Sequence, residues 1–140
     1  MKVSTKCRYG LRAMIYLASR NSGTHVRRSD IARQESIPNQ YLENILLLLR
    51  KAGLITVVRG AKGGFALARS PEKIKIADIV GPLEGPMAPV QCVVNPASCN
   101  KIRDCRARLL WDKLYLAEKQ ILESMTLQDL LPTRKDEWVI

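Results

Sequence analysis

The chain has 140 residues, 46% of them hydrophobic and 26% charged, which is ordinary for one domain or a small domain with an appended element. No apolar run approaches the ~18–20 residues of a membrane span and the N-terminus has no signal-peptide core, so a cytoplasmic protein with reduced thiols is expected. The 23 Lys and Arg exceed the 13 Asp and Glu by a net +10, and the excess is uneven. Residues 1–73 carry 14 basic and 4 acidic side chains, whereas residues 74–140 carry 9 of each. A basic half joined to a neutral half predicts a polyanion-binding module attached to a module with a second task.

In chain order, residues 5–21 read as a helix. Leu11, Met14, Ile15 and Ala18 form one apolar stripe, and Gly23 marks the turn. Ser29 is the expected N-cap of a short helix, Asp30 to Glu35, broken by Ser36-Ile37-Pro38. A third helix runs from about Pro38 to Ala52 with Leu42, Ile45, Leu46 and Leu49 inward and Gly53 as its stop. This short helix, tight turn and longer helix make a helix-turn-helix. Leu54–Val58 then reads as a strand, Arg59–Gly64 as a basic glycine-rich tip, and Phe65–Ala68 as the return strand. Attached to a helix-turn-helix, such a hairpin is a wing. A Walker phosphate loop would need Gly-Lys-Ser/Thr entering a helix, and Gly63-Gly64-Phe65 enters a strand.

Residues 77–83 predict a short helix ended by Gly81-Pro82, followed by an irregular stretch to about residue 100. A long helix is expected from Lys101 to Met125, with Ala107, Leu110, Leu114, Ala117 and Ile121 as a heptad-like seam suited to a partner subunit or the domain body. Leu127 to Leu131 is a last short segment, stopped by Pro132, and a poorly ordered tail is expected from Thr133. The expected organisation is mainly α. A winged helix-turn-helix DNA-binding domain covers 1–83, a cysteine-bearing loop 84–105, a long helix 101–125 that would serve dimerisation or pack on the domain body, and a short segment and tail 126–140.

Cys92, Cys99 and Cys105 lie in that loop and at its end. Three soft ligands on a flexible loop suit zinc, copper(I) or an iron–sulfur cluster. Paired C-x2-C knuckles are missing and the only histidine is His25, which disfavours structural zinc, while iron–sulfur centres tolerate irregular spacing. Reactive or simply packed thiols are the alternative. An enzyme or redox protein fits poorly, because the sequence has no C-x-x-C and no histidine near a thiol.

Together these motifs resemble the IscR-type iron–sulfur cluster regulators, bacterial winged-helix transcription factors. The resemblance covers nearly the whole chain. It is carried by Lys6-Cys7-Arg8-Tyr9-Gly10, Tyr41-Leu42-Glu43, Leu49-Arg50-Lys51-Ala52-Gly53-Leu54, Val58-Arg59-Gly60 with Gly63-Gly64, the three cysteines, and Trp111. It implies a homodimer on a palindromic operator in double-stranded DNA, regulating iron–sulfur cluster biogenesis, with Cys92, Cys99 and Cys105 holding a cluster. A [2Fe–2S] form is favoured and [4Fe–4S] is the alternative. A related possibility is a cluster-free regulator of cysteine metabolism acting through a partner protein.

The resemblance also implies site roles. Glu43 would read a cytosine amino group, with Gln40 and Asn44 on the same exposed side, and Arg59 would enter the minor groove. By position and charge alone, Gln40 and Asn44 are expected to reach base edges and Lys62, Arg27, Arg28, Arg50 and Lys51 to bind phosphates, each with ordinary solvated surface as the plainer reading. The sequence departs from the family pattern where a fourth cluster ligand is expected. Arg108 stands in place of a histidine, and Arg8 in place of a carboxylate that some relatives use. Cys7, where glycine is usual, is either that fourth ligand across the dimer or a small packed side chain.

Overall fold

The computed structural model describes residues 2–20 and 23–133, so all but the first residue of the expected tail lies outside the described residues. Three helices come first: α1 (Thr5–Ala18), α2 (Arg28–Glu35) and α3 (Asn39–Lys51). A two-stranded antiparallel sheet follows, β1 (Ile55–Val58) and β2 (Gly64–Leu67), then α4 (Ile76–Glu84), a short α5 (Gln91–Val94) and α6 (Arg108–Ser124). A 3-10 turn, Leu127–Leu130, closes the described chain.

Helix α3 forms as its pattern demands: Leu42, Ile45, Leu46 and Leu49 are all buried, and Gly53 follows with a left-handed φ of 74°. In α1 the buried line is rotated from the expected stripe. Cys7, Gly10, Ala13, Met14 and Leu17 are buried, whereas Leu11, Ile15 and Ala18 are partly buried at its flank. The cause is Gly10, whose bare backbone lets Leu83 of α4 approach against it, so the closest contact sets the helix rotation. Helix α2 starts earlier than expected. Its N-cap is Arg27, without a side-chain cap bond, and Ser29 lies inside the helix. Ser36 ends α2 with φ 53°.

Two further boundaries differ from expectation. Helix α4 runs through Gly81-Pro82 and stops at Gly85, where φ is 76°. Both residues face solvent, and Pro82 lies in the last turn, so the carbonyl it leaves unpaired can take water. Helix α6 begins at Arg108 rather than Lys101, because residues 101–107 form turns instead. The last segment is no appendage. Leu127 is fully buried, its amide donates to the Ile74 carbonyl at 2.8 Å, and the Ile76 amide donates to Met125 at 2.9 Å.

The wing register pairs Ile55 with Leu67 and Val58 with Gly64. Val26, just before α2, adds to its edge: Val26 and Phe65 exchange amide–carbonyl bonds of 2.8 and 2.7 Å. The wing is thereby fixed to the start of the helix-turn-helix.

Candidate nucleic-acid interface and cysteine loop

The expected DNA-reading residues come together on one surface. Gln40, Glu43 and Asn44 are exposed on the side of α3 opposite its buried leucines. Tyr41 in the first turn packs edge-on against Tyr9 of α1, with ring centroids 5.8 Å apart. Arg12 of α1 lies over Tyr9 and binds both the carboxylate and the carbonyl of Glu35, which secures α2 to α1. Arg59 and Lys62 are exposed at the wing tip.

Two adjacent arginines link these parts. Arg27 Nη2 donates to the Ala61 carbonyl of the wing tip at 2.7 Å. Arg28 Nε donates to Asn39 Oδ1 at 2.9 Å, and its Nη1 lies 3.0 Å from Glu43 Oε1. In this chain the two side chains expected on phosphates thus hold protein groups. Arg50 and Lys51 are exposed in the last turn of α3, where their charge also complements the helix dipole. That end lies about 15 Å along the axis from Gln40 at helical rise.

Leu47 was not singled out by its sequence context. It lies about two helical turns beyond Gln40 and is exposed, so it projects an apolar group from the same side of α3. Such a side chain can meet a thymine methyl. Its signal was its phase within the run Leu46–Leu49, where leucine alone suggests core.

The cysteine loop differs from a closed metal centre. Cys92 sits on α5, Cys99 just after a 3-10 turn, and Cys105 three residues before α6. All three are free and half-buried. Among the described residues no group of three Cys, His, Asp or Glu side chains is gathered around a point. The donor set therefore fits a thiolate-held centre in kind, while the folded chain does not draw the three together. Arg108 opens α6 with its Nε 3.5 Å from Asp112 Oδ2, and it offers no lone pair to a metal.

Cys7 belongs to the core. It is 2% exposed, and burial first, then the Glu84 charge, pushes its thiol up to about 11. Glu84 in turn accepts from the Ser4 hydroxyl at 2.5 Å and the Ser4 amide at 3.1 Å, which holds its carboxyl below the usual range. A buried, neutral thiol is a poor ligand. On α6, Leu122 packs on the body and Tyr115 lines a cavity shared with α4, while Leu110, Leu114 and Ile121 of the expected seam are exposed.

A helix-turn-helix with an anchored two-stranded wing and a long C-terminal helix defines a winged helix-turn-helix DNA-binding protein. The comparisons give its family. Residues 3–133 match the family model Rrf2, iron-dependent transcriptional regulator. The chain is 38% identical over 131 residues to protein rrf2 of Nitratidesulfovibrio vulgaris, covering 94% of this chain and 87% of that one. It resembles the solved structure of CymR, the global cysteine regulator of B. subtilis, at 39% identity and TM-score 0.77, covering 93% and 95% of the two chains. It also resembles T. potens IscR at 37% identity and TM-score 0.72, covering 92% and 85%. The chain belongs to the Rrf2 family of DNA-binding transcription regulators, and it is not an enzyme.

Proposed function

We propose that the protein is a cytoplasmic, homodimeric regulator that binds a palindromic operator and whose binding is controlled by an iron–sulfur cluster on Cys92, Cys99 and Cys105. Iron–sulfur cluster biogenesis is the process it would govern. The observation that carries this reading is the concentration of three free, half-buried thiols on the loop leading directly into α6. Glu43, Gln40 and Asn44 read bases from the major groove, Arg59 enters the minor groove, and Lys62 contacts phosphate. A bound cluster would supply a centre sensitive to oxidation and to iron supply. The protein's part is to bring the three thiolates together and to pass the resulting loop order into α6. Cys7 serves packing in this reading, and the fourth ligand comes from solvent, a small thiol or the partner subunit.

A second reading has its own support. The three thiols are not gathered in the folded chain, and the similarity to a cysteine regulator equals that to IscR within a few per cent. In that reading the protein is cluster-free and acts through a partner protein. Anaerobic purification and reconstitution, with iron and sulfide counted per subunit, separates the two. Brown protein that loses its iron in each of Cys92→Ser, Cys99→Ser and Cys105→Ser, and changes DNA affinity on loading, supports the first. Colourless protein that takes up no iron supports the second.

A further inference from the structure

We propose that Arg28 is a positioning residue for Glu43, setting base specificity without itself reading a base. The inference rests on Glu43 being a base reader, as proposed above. Arg28 is the first residue of α2 and reaches α3 with two different nitrogens, Nε to Asn39 and Nη1 to Glu43. Asn39 and Glu43 stand four residues apart on one face of α3, so the two contacts fix both the plane and the direction of the guanidinium. The Arg28 side chain is 37% exposed and that of Glu43 61%, so the better-seated partner restrains the freer one.

Helix formation gives no reason for a cation at this point. The N-terminus of a helix favours negative charge, and Arg27 next door is already positive. The benefit of Arg28 therefore lies in what it touches. Glu43 is the only acid on α3 and must approach a phosphate-lined groove. Unheld, its flexible side chain would lose freedom on docking and carry an unbalanced negative charge there. Arg28 supplies the balancing charge and the orientation before DNA arrives. Arg27 does not compete for Glu43, since its guanidinium is turned to the Ala61 carbonyl.

A plain phosphate anchor behaves differently: its loss weakens all DNA alike. The test uses duplexes recovered by site selection with the wild-type chain, and the same duplexes changed at the base pair whose preference Glu43→Ala relaxes. Affinity for these and for random DNA is measured at fixed salt for Arg28→Leu, Arg28→Lys, Glu43→Ala and the double variant Arg28→Leu/Glu43→Ala. Helical content by circular dichroism checks folding. Arg28→Leu should lower discrimination at that base pair about two- to fivefold per half-site, the range of an exposed ion pair. It should lower it no further in the Glu43→Ala background. Arg28→Lys should match the wild type on random DNA without recovering the discrimination, because it keeps the charge and loses the fork. Equal weakening on all duplexes, additive with Glu43→Ala, would make Arg28 a phosphate anchor and overturn the proposal. If Glu43→Ala returns the wild-type motif with the same stringency, the base-reading role itself fails, and the positioning role with it.

Discussion

Replacing Leu110 with alanine should leave the chain folded while loosening the homodimer proposed above. Leu110 is 53% exposed on α6, within the seam of Leu114 and Ile121, so it contributes little to its own chain's core. Full burial of a leucine side chain is worth ~1.5–3 kcal/mol, so covering the exposed half adds roughly 0.8–1.6 kcal/mol. A two-fold interface uses the residue twice, which raises the loss to roughly 1.6–3.2 kcal/mol per dimer, or about 15- to 200-fold in dissociation constant. Sedimentation equilibrium over a concentration series measures that constant, and circular dichroism verifies that the helices persist. Leu116 is also exposed but lies roughly 120° around the helix at ~100° per residue, so Leu116→Ala should change the constant less. A Leu110→Ala dimer within twofold of wild type would refute the assignment of this seam to dimerisation.

Glu43→Ala should relax sequence preference more than affinity for random DNA, and Arg59→Ala should weaken specific binding by ~1–3 kcal/mol; site selection and titration check both. Gly64→Ala should detach the wing, because a Cβ there meets the Val26 carbonyl oxygen at 2.5 Å on a residue with φ 146°. The Val26 and Phe65 amides should then exchange hydrogen faster and specific DNA affinity should fall, and unchanged exchange would count against the anchor. Cys7, with its thiol near 11, is about 0.1% ionised at pH 8, so iodoacetamide should label the three loop cysteines and spare it until the chain unfolds. The sign for stability follows: the neutral thiol favours the fold at lower pH, and that contribution is lost as pH rises from about 9 through 11. Peptide mass spectrometry showing equal labelling of all four cysteines would contradict the burial of Cys7.

The sequence alone determined the elements whose patterns are local. The leucines of α3, the turn at Gly53 and the basic hairpin each follow from periodicity or backbone chemistry, and together they made the winged helix-turn-helix legible. The exposed side of α3 was legible too, because the same periodicity that buries Leu42 and Leu49 turns Gln40, Glu43 and Asn44 outward. What depended on distant partners was not. The buried line of α1 was set by Leu83 meeting Gly10 from 73 residues away in the chain, and α4 passed through Gly81-Pro82 because that face is solvated. The helix start expected at Lys101 moved to Arg108, since good helix formers do not by themselves decide where a helix begins. Tertiary structure also settled the charges. Composition counts Arg27 and Arg28 as cations for phosphate, but only the placement of the start of α2 beside the wing tip and α3 gives them the Ala61 carbonyl and Glu43 as partners. Cys7 is one thiol among four in the sequence. Its depth beneath Glu84, a matter of how α1 and α4 meet, separates its chemistry from that of the loop cysteines.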